Sequence, residues 1–226
     1  MKSFTERAWE QAQPIMARIC AHPFLQEMAA GTLSRSSFKT YLEQDCIYVA
    51  NYGDEFLHLA HMLPKSRMQE LFLQFAQEGI AAEDALHQML MTEFGGSDAQ
   101  PMQGTLNYMN HTRQYFSPED LPMAMAAMLP CMWVYNEVGK YILSIEKDAE
   151  HNPYHEWISC YASDLMEEGV QNALELINTL AANESQERQN QMLNAFLIAT
   201  KMEYTFWDQA YRTATTDIAA DLAGKR

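Results

Sequence analysis

Apolar residues recur every three or four positions along almost the entire chain, which is the spacing of amphipathic helices. Near the amino terminus, Phe4, Ala8 and Ala12 fall on one face of a helix, and Ser3 and Glu6 have the spacing of a capping box that begins it. Prolines and paired glycines interrupt the pattern. It predicts a short amphipathic segment over residues 23–31 and longer helices over residues 34–61, 66–94, 101–116, 118–147, 153–182 and 185–211.

The rest of the chain gives no reason to predict strands or a second domain. Glycine (9 residues) and proline (8 residues) are scarce, 48% of the residues are hydrophobic, and no repeat is present. The segments between the predicted helices are too short to act as domain linkers. We therefore expect an all-α fold, a single-domain helical bundle of seven to eight helices over residues 1–226, with a frayed tail over residues 212–226.

The charge of the chain excludes one class of partner. Thirty acidic residues against fifteen basic ones give a formal net charge of −15. Lys and Arg supply most of the affinity of proteins for nucleic acids and for anionic membrane surfaces, and no basic cluster is present. We expect no nucleic-acid partner and no membrane partner.

The cellular location is predicted from the first residues and from the cysteines. Charged residues precede any apolar run at the amino terminus, which is unlike a signal peptide, and no apolar run approaches the roughly 20 residues that span a bilayer. Cys20, Cys46, Cys131 and Cys160 are widely spaced, as free thiols in a reducing compartment are. These features predict a cytoplasmic protein.

Pro130 interrupts a continuous apolar helical pattern over residues 123–143. A proline there removes one backbone hydrogen bond and clashes with the carbonyl of Ala126, so we expect the helix to bend or restart. A restart would place Cys131 in a first helical turn, where backbone N–H groups favour a thiolate. The alternative is an ordinary buried thiol, which is the usual state of a cysteine in an apolar helix.

Two carboxylic acids also lie on apolar helix faces. Glu203 shares a stripe with Phe196 and Phe206, so it must be paired or protonated, unless it is a core residue satisfied by a tyrosine or a backbone amide. Asp45 lies among tyrosines at helical spacing, and buried carboxylates need dedicated partners. A thiol, two acids and several phenols suit a pocket for a flat, hydrogen-bonding heteroaromatic ring, provided that the three faces converge.

Four stretches of the chain, in this order and spacing, are similar to motifs of the TenA family of thiaminase II and aminopyrimidine aminohydrolase enzymes. They are Phe38-x-x-Tyr41-Leu42-x-Gln44-Asp45-x-x-Tyr48, Leu129-Pro130-Cys131-x-Trp133-x-Tyr135-x-Glu137-x-Gly139, Pro153-Tyr154-x-Glu156-Trp157-Ile158-x-x-Tyr161 and Glu203-x-x-Phe206-Trp207-x-x-Ala210-Tyr211. The resemblance implies a haem-oxygenase-like fold, a homotetramer, and neither a cofactor nor a metal ion. It also implies hydrolysis of 4-amino-5-aminomethyl-2-methylpyrimidine to the hydroxymethyl pyrimidine and ammonia, and in many members cleavage of thiamin.

The resemblance assigns roles to individual residues. Cys131 would be the nucleophile and Glu203 its acid/base partner, while Asp45 would hydrogen-bond the aminopyrimidine edge. The residues expected to line the pocket around the ring are Tyr48, Tyr108, Tyr135, Tyr161 and Phe206.

The chain departs from the family pattern in three places. Asn136 stands where the family often has a bulky residue, the connection over residues 146–152 is slightly longer, and Asp164, Leu165 and Met166 follow Tyr161 in place of a Glu-Phe pair. These departures bear on substrate preference and on the placing of Tyr161.

Two alternatives come from other functional classes. Glu55 with His58, and Asp84 with His87, have the spacing that puts a carboxylate and an imidazole on one helix face, as in di-metal carboxylate oxidases. Surface pairs on acidic helices show the same spacing. A non-catalytic ligand-binding or regulatory protein is the other alternative, although it would have no need of both Cys131 and Glu203.

Overall fold

A computed structural model describes residues 2–96, 99–116 and 120–224, without the side chains of residue 80 and residues 214–224. All regular structure within these ranges is helical, as the apolar periodicity predicts. The helices are α1 (Phe4–Cys20), α2 (Pro23–Ala29), α3 (Arg35–Met62), α4 (Arg67–Phe94), α5 (Gln103–Arg113), α6 (Leu121–Ile145), α7 (His155–Tyr161), α8 (Asp164–Ala182) and α9 (Gln186–Gly224).

Several helix ends follow the predicted signals. The Ser3 side chain accepts from the Glu6 amide while the Glu6 carboxylate accepts from the Ser3 amide, which confirms the capping box. Gly95 ends α4 with a φ of 75°, a left-handed conformation that glycine adopts without strain. The start predicted at residues 118–119 lies outside the described residues, and α6 begins at Leu121.

Two helix boundaries differ from the prediction. The helix expected over residues 153–182 is divided, because Ser163 caps α8 by accepting from the Met166 amide, and this division accounts for a ninth helix. The last helix continues to Gly224, beyond the end predicted near Tyr211. Its final turns are rich in alanine, the strongest helix former, which favours the longer helix.

Helix α6 lies at the centre of the bundle. All residues from Met123 to Pro130 are buried, and α6 packs against α3, α5, α7, α8 and α9. The long α9 also contacts α1 and α3, so helices from both ends of the chain share one hydrophobic core. This shared core supports the prediction that residues 1–226 form a single domain. None of the described helices is both long enough and apolar enough to cross a membrane.

Pro130 does not divide α6. The helix is continuous from Leu121 to Ile145, so Cys131 lies in a helix interior and the expected restart at this proline is wrong. Neighbouring helices surround α6, and their packing maintains the helix despite the backbone hydrogen bond that proline removes. The reactivity of Cys131 therefore cannot depend on a helix amino terminus.

Candidate active site

An apolar cavity lies between α3, α4 and α6, and the segment that joins α7 to α8 closes another side. Five of the eight predicted site residues line it: Asp45, Tyr48, Cys131, Tyr135 and Tyr161. The other three are buried behind its wall, where the rings of Tyr108 and Phe206 lie 4.5 Å and 5.8 Å from the ring of Tyr48 and where Tyr108 contacts Glu203. The structure thus brings together all three helix faces that the sequence singles out.

Cys131 faces this cavity from the middle of α6. Burial raises the pKa of its thiol well above the ordinary value, and the negative charges of Glu203, Glu83 and Asp45 raise that pKa further. Tyr48 lowers the pKa by hydrogen bonding, but by less. These groups favour a neutral thiol at Cys131, contrary to the thiolate that a helix start would favour.

Glu203 is only 1% exposed, and its hydrogen-bond partner is a neutral group. The hydroxyl of Tyr108 on α5 donates to its Oε1. Burial raises the pKa of Glu203 to about 8, although the Tyr108 hydrogen bond lowers it and the charge of Asp45 raises it. Near neutral pH this side chain is mainly a carboxylic acid, which can give up and recover a proton.

Asp45 is equally buried but has a charged partner that sequence reasoning missed. His87 of α4 lies with Nε2 3.2 Å from Asp45 Oδ2, and Tyr41 donates to the same oxygen at 2.8 Å. Burial lowers the pKa of His87, but hydrogen bonds and charge interactions with Asp45 and Cys46 outweigh burial and raise that pKa to about 11. Asp45 and His87 therefore form a buried ion pair between α3 and α4.

Glu83 is the second residue that sequence reasoning missed. It lines the cavity from α4, and Tyr161 donates a 2.7 Å hydrogen bond to its Oε1. Burial and the charge of Asp45 raise the pKa of Glu83 to about 7. Glu83 and His87 are four residues apart and so share a helix face, a spacing that could have identified both.

Tyr161 is positioned by two residues of α6. Asn136 donates from Nδ2 to the Tyr161 carbonyl at 3.0 Å, and a Cβ at Gly139 would lie 2.7 Å from the Tyr161 carbonyl carbon. Only glycine lets the end of α7 approach this closely. The unusual Asn136 thus has a structural purpose, and Tyr161 does reach the cavity as predicted. Leu165 and Met166, which follow it, also line the cavity.

The residues of the di-metal alternative do not assemble as that hypothesis requires. His58 and Asp84 are exposed, and Glu55 lies beside Arg113 of α5. Within the described part of the chain, the one group with metal-binding spacing is Asp45, Glu83 and His87, whose donor atoms lie within 4.8 Å of one another. Such a set could hold one cation only after His87 lost its proton, which its pKa of about 11 opposes.

The architecture defines a class of protein, the haem-oxygenase-like helical folds. A domain with that fold from Shewanella denitrificans, 11% identical, superposes with a TM-score of 0.67 over 93% of each chain. A TenA homologue from Pyrococcus furiosus, 25% identical, superposes with a TM-score of 0.82 over 92% of this chain and all of the other. A family model described as TENA/THI-4/PQQC matches residues 9–213. The chain belongs to this family.

Two relatives have names that refer to pyrimidine or thiamine chemistry. An aminopyrimidine aminohydrolase from Halalkalibacterium halodurans is 29% identical over 216 residues, which are 92% of this chain and 96% of the relative. A thiamine biosynthesis multifunctional protein, ThiED, from Corynebacterium glutamicum is 30% identical over 217 residues. That match covers 96% of this chain but only 28% of the relative, so this chain spans little more than a quarter of that longer protein.

Proposed function

We propose that the protein is a hydrolase of thiamin pyrimidine salvage. It converts 4-amino-5-aminomethyl-2-methylpyrimidine and water to the 5-hydroxymethyl pyrimidine and ammonia, with thiamin as a second substrate. The observation that carries this proposal is the convergence of Cys131, Asp45 and the Glu203–Tyr108 pair on one cavity walled by tyrosines. The name of the Halalkalibacterium halodurans relative, which matches nearly end to end, supports the same reaction.

Asp45 binds the aminopyrimidine edge in this proposal. Its carboxylate, paired with His87, can only accept hydrogen bonds and therefore selects N–H groups. Tyr48 and Tyr135 line the cavity together with Cys131 and supply ring faces for stacking. The apolar lining and the carboxylate acceptor of Asp45 suit a heteroaromatic ring that carries an amino group.

Cys131 supplies covalent catalysis. Its Sγ adds to a ring carbon as the thiol proton passes to the carboxylate form of Glu203, and the ring electrons then expel the protonated amine from the exocyclic methylene as ammonia. The oxygen of a water molecule adds to that methylene while the water proton passes to ammonia, and the C–S bond breaks to restore the aromatic ring as Glu203 returns the proton to Sγ. This sequence replaces one difficult displacement at an unactivated carbon with several easier steps. A cationic substrate would assist, because its charge opposes the carboxylates that raise the pKa of the Cys131 thiol.

Glu203 transfers the protons that these steps require. With a pKa of about 8 it can accept the proton of the Cys131 thiol and later return it to the departing Sγ near neutral pH. Tyr108 orients the carboxyl group by its hydrogen bond. Because Glu203 lies behind the cavity wall, its protons reach the reacting atoms through a bridging water or a side-chain movement in this proposal.

We further propose that the enzyme is a cytoplasmic homotetramer. The large side chains of Met89 and Leu143 are each 44% exposed, as contact residues between subunits would be in an isolated chain. All four cysteines are free thiols, which suits a reducing compartment. Light scattering at micromolar concentration should give a mass near four times 25.9 kDa, and a purely monomeric species would contradict the assembly.

The test of the reaction is direct. Purified protein incubated with 4-amino-5-aminomethyl-2-methylpyrimidine should release ammonia and form the hydroxymethyl pyrimidine in equal amounts. Metal analysis and assays with a chelator accompany the test, because a di-metal oxidase would contain metal and would lose activity when the chelator removed that metal. Binding of the pyrimidine without ammonia release would favour the non-catalytic alternative and contradict the hydrolase.

A further inference from the structure

We propose that Glu83 is a specificity-determining residue whose carboxylate pairs with the positive charge of the substrate and so separates substrate from product. The proposal rests on the proposed pyrimidine hydrolase. It starts from a carboxyl group that lines the cavity and has no part in the covalent steps described above.

The position of Glu83 places it within reach of a bound ring. One of its carboxyl oxygens lies within 4.8 Å of a carboxyl oxygen of Asp45, and its charge also acts on the thiol of Cys131. A ring held between Asp45 and Cys131 therefore has its substituents near Glu83. The Tyr161 hydroxyl donates to one lone pair of Glu83 Oε1, and the remaining lone pairs of the carboxylate can accept hydrogen bonds from a ligand.

The charges around the cavity are unbalanced at Glu83. Asp45 has His87 as its ion-pair partner, whereas the hydrogen bond that Glu83 receives from the described residues comes from the neutral Tyr161 hydroxyl, with the His87 imidazole within 4.8 Å. His87 lowers the pKa of Glu83, but burial and Asp45 dominate and raise it. None of the described residues that line the cavity is a lysine, arginine or histidine. The one positive charge of His87 thus serves two carboxyl groups, and a cationic ligand would balance the second.

The substrate and the product differ in that charge. The aminomethyl arm of the substrate is a protonated amine near neutral pH, whereas the hydroxymethyl arm of the product is neutral. A carboxylate beside the arm binds the amine more tightly and allows the alcohol to leave. The same carboxylate repels phosphate esters of the alcohol, so the site selects cationic pyrimidines without phosphate groups.

Binding measurements in a Cys131→Ser background test the assignment without turnover. The ligands are the aminomethyl pyrimidine, the hydroxymethyl pyrimidine and its phosphate ester, titrated by calorimetry at about pH 8, where Glu83 is mostly ionised. Glu83→Gln keeps the shape and an acceptor for Tyr161 while it removes the charge. Asp84→Asn is the matched control, because it removes one exposed negative charge at the adjacent position of α4.

We expect Glu83→Gln to weaken binding of the aminomethyl pyrimidine by about 10- to 100-fold, as loss of a charge-assisted hydrogen bond does. Binding of the hydroxymethyl pyrimidine to Glu83→Gln should change less than about threefold, and this binding also shows that the variant is folded. Asp84→Asn should leave the affinity for both ligands unchanged. Equal losses for both ligands would overturn the proposal, since Glu83 would then contact the shared ring, and unchanged binding of the amine would overturn it too. Ammonia release by the wild-type protein reports on the hydrolase separately. If the wild type binds no pyrimidine, both proposals fail.

Discussion

Two buried carboxyl groups near the cavity have the same exposure and different chemistry. Asp45 on α3 and Glu203 on α9 are each 1% exposed. Asp45 has the imidazolium of His87 beside it, whereas Glu203 receives a hydrogen bond from a neutral phenol and has its pKa raised to about 8. Burial is therefore not what distinguishes them. The charge of the nearest partner decides whether a buried carboxyl group is ionised.

This difference matches the two tasks that a pyrimidine hydrolase must perform. A carboxylate with a fixed charge is suited to recognition, because its hydrogen-bonding character does not change during turnover. A carboxyl group that titrates near neutral pH is suited to proton transfer. Each prediction below changes either the nucleophile or one of these two carboxyl groups.

The largest effect is expected for Cys131→Ser, which removes the proposed nucleophile. We expect loss of ammonia release by more than about 1,000-fold, because a serine hydroxyl without an adjacent base is a poor nucleophile. Folding should be preserved, since the two side chains are nearly isosteric.

The matched control is Cys160→Ser, since Cys160 lines the same cavity but has no role in the mechanism. Circular dichroism and an ammonia assay on both variants suffice for the comparison. Wild-type turnover by the Cys131→Ser protein would contradict the covalent mechanism. It would also leave no reason to assign Glu203 as the acid/base partner of this thiol.

A smaller effect, on stability, compares Asp45→Asn with Glu203→Gln. Asp45→Asn leaves the His87 imidazolium buried without its counter-charge and should lower the free energy of unfolding by about 3 kcal/mol. Glu203→Gln keeps the hydrogen bond from Tyr108 and should cost less than about 1 kcal/mol. Urea unfolding at pH 7 measures both values. Equal losses of unfolding free energy in the two variants would show that His87, the partner of Asp45, is not charged.

The last prediction is the contribution that Glu203 makes to the pH dependence of stability. Its pKa rises from 4.5 to about 8 on folding, so between these values the folded protein holds a proton that the unfolded chain has released. The free energy of unfolding attributable to Glu203 is therefore highest below pH 4.5 and falls as pH rises, by about 1 kcal/mol for each unit.

Glu203→Gln lacks this titration, so its stability relative to the wild type should increase from pH 5 to pH 8. The raised pKa of His87, which lowers stability as pH rises above 6.5, is present in both proteins and cancels in the difference. Parallel stability curves for the two proteins would mean that Glu203 is ionised in the folded state.

The fold could be predicted from sequence because its signals are local. Helical periodicity, the capping box at Ser3 and the glycine that ends α4 each act within a few residues. The division near Ser163 was missed because apolar spacing continues across it. The continuity of α6 through Pro130 depends on the helices packed around it, and no local rule includes them.

The candidate site was predicted in its composition but not in its electrostatics. Family resemblance identified Cys131, Asp45 and Glu203, and the structure places them around one cavity. The ion pair of Asp45 with His87 joins residues 42 positions apart on different helices, and periodicity does not show which faces of two helices meet. The sequence grouped His87 with Asp84, whereas the structure groups it with Glu83 and Asp45.

The close approach of α7 to Gly139 has a consequence for how the protein could be altered by directed evolution. A methyl group at this position would displace the Tyr161 backbone, and the Tyr161 hydroxyl would move away from Glu83. Asn136 acts on the same backbone carbonyl from one helical turn away. Substitutions at these two positions would touch no ligand, yet a screen for altered pyrimidine preference should recover them alongside the cavity residues. Libraries restricted to the cavity wall would omit them.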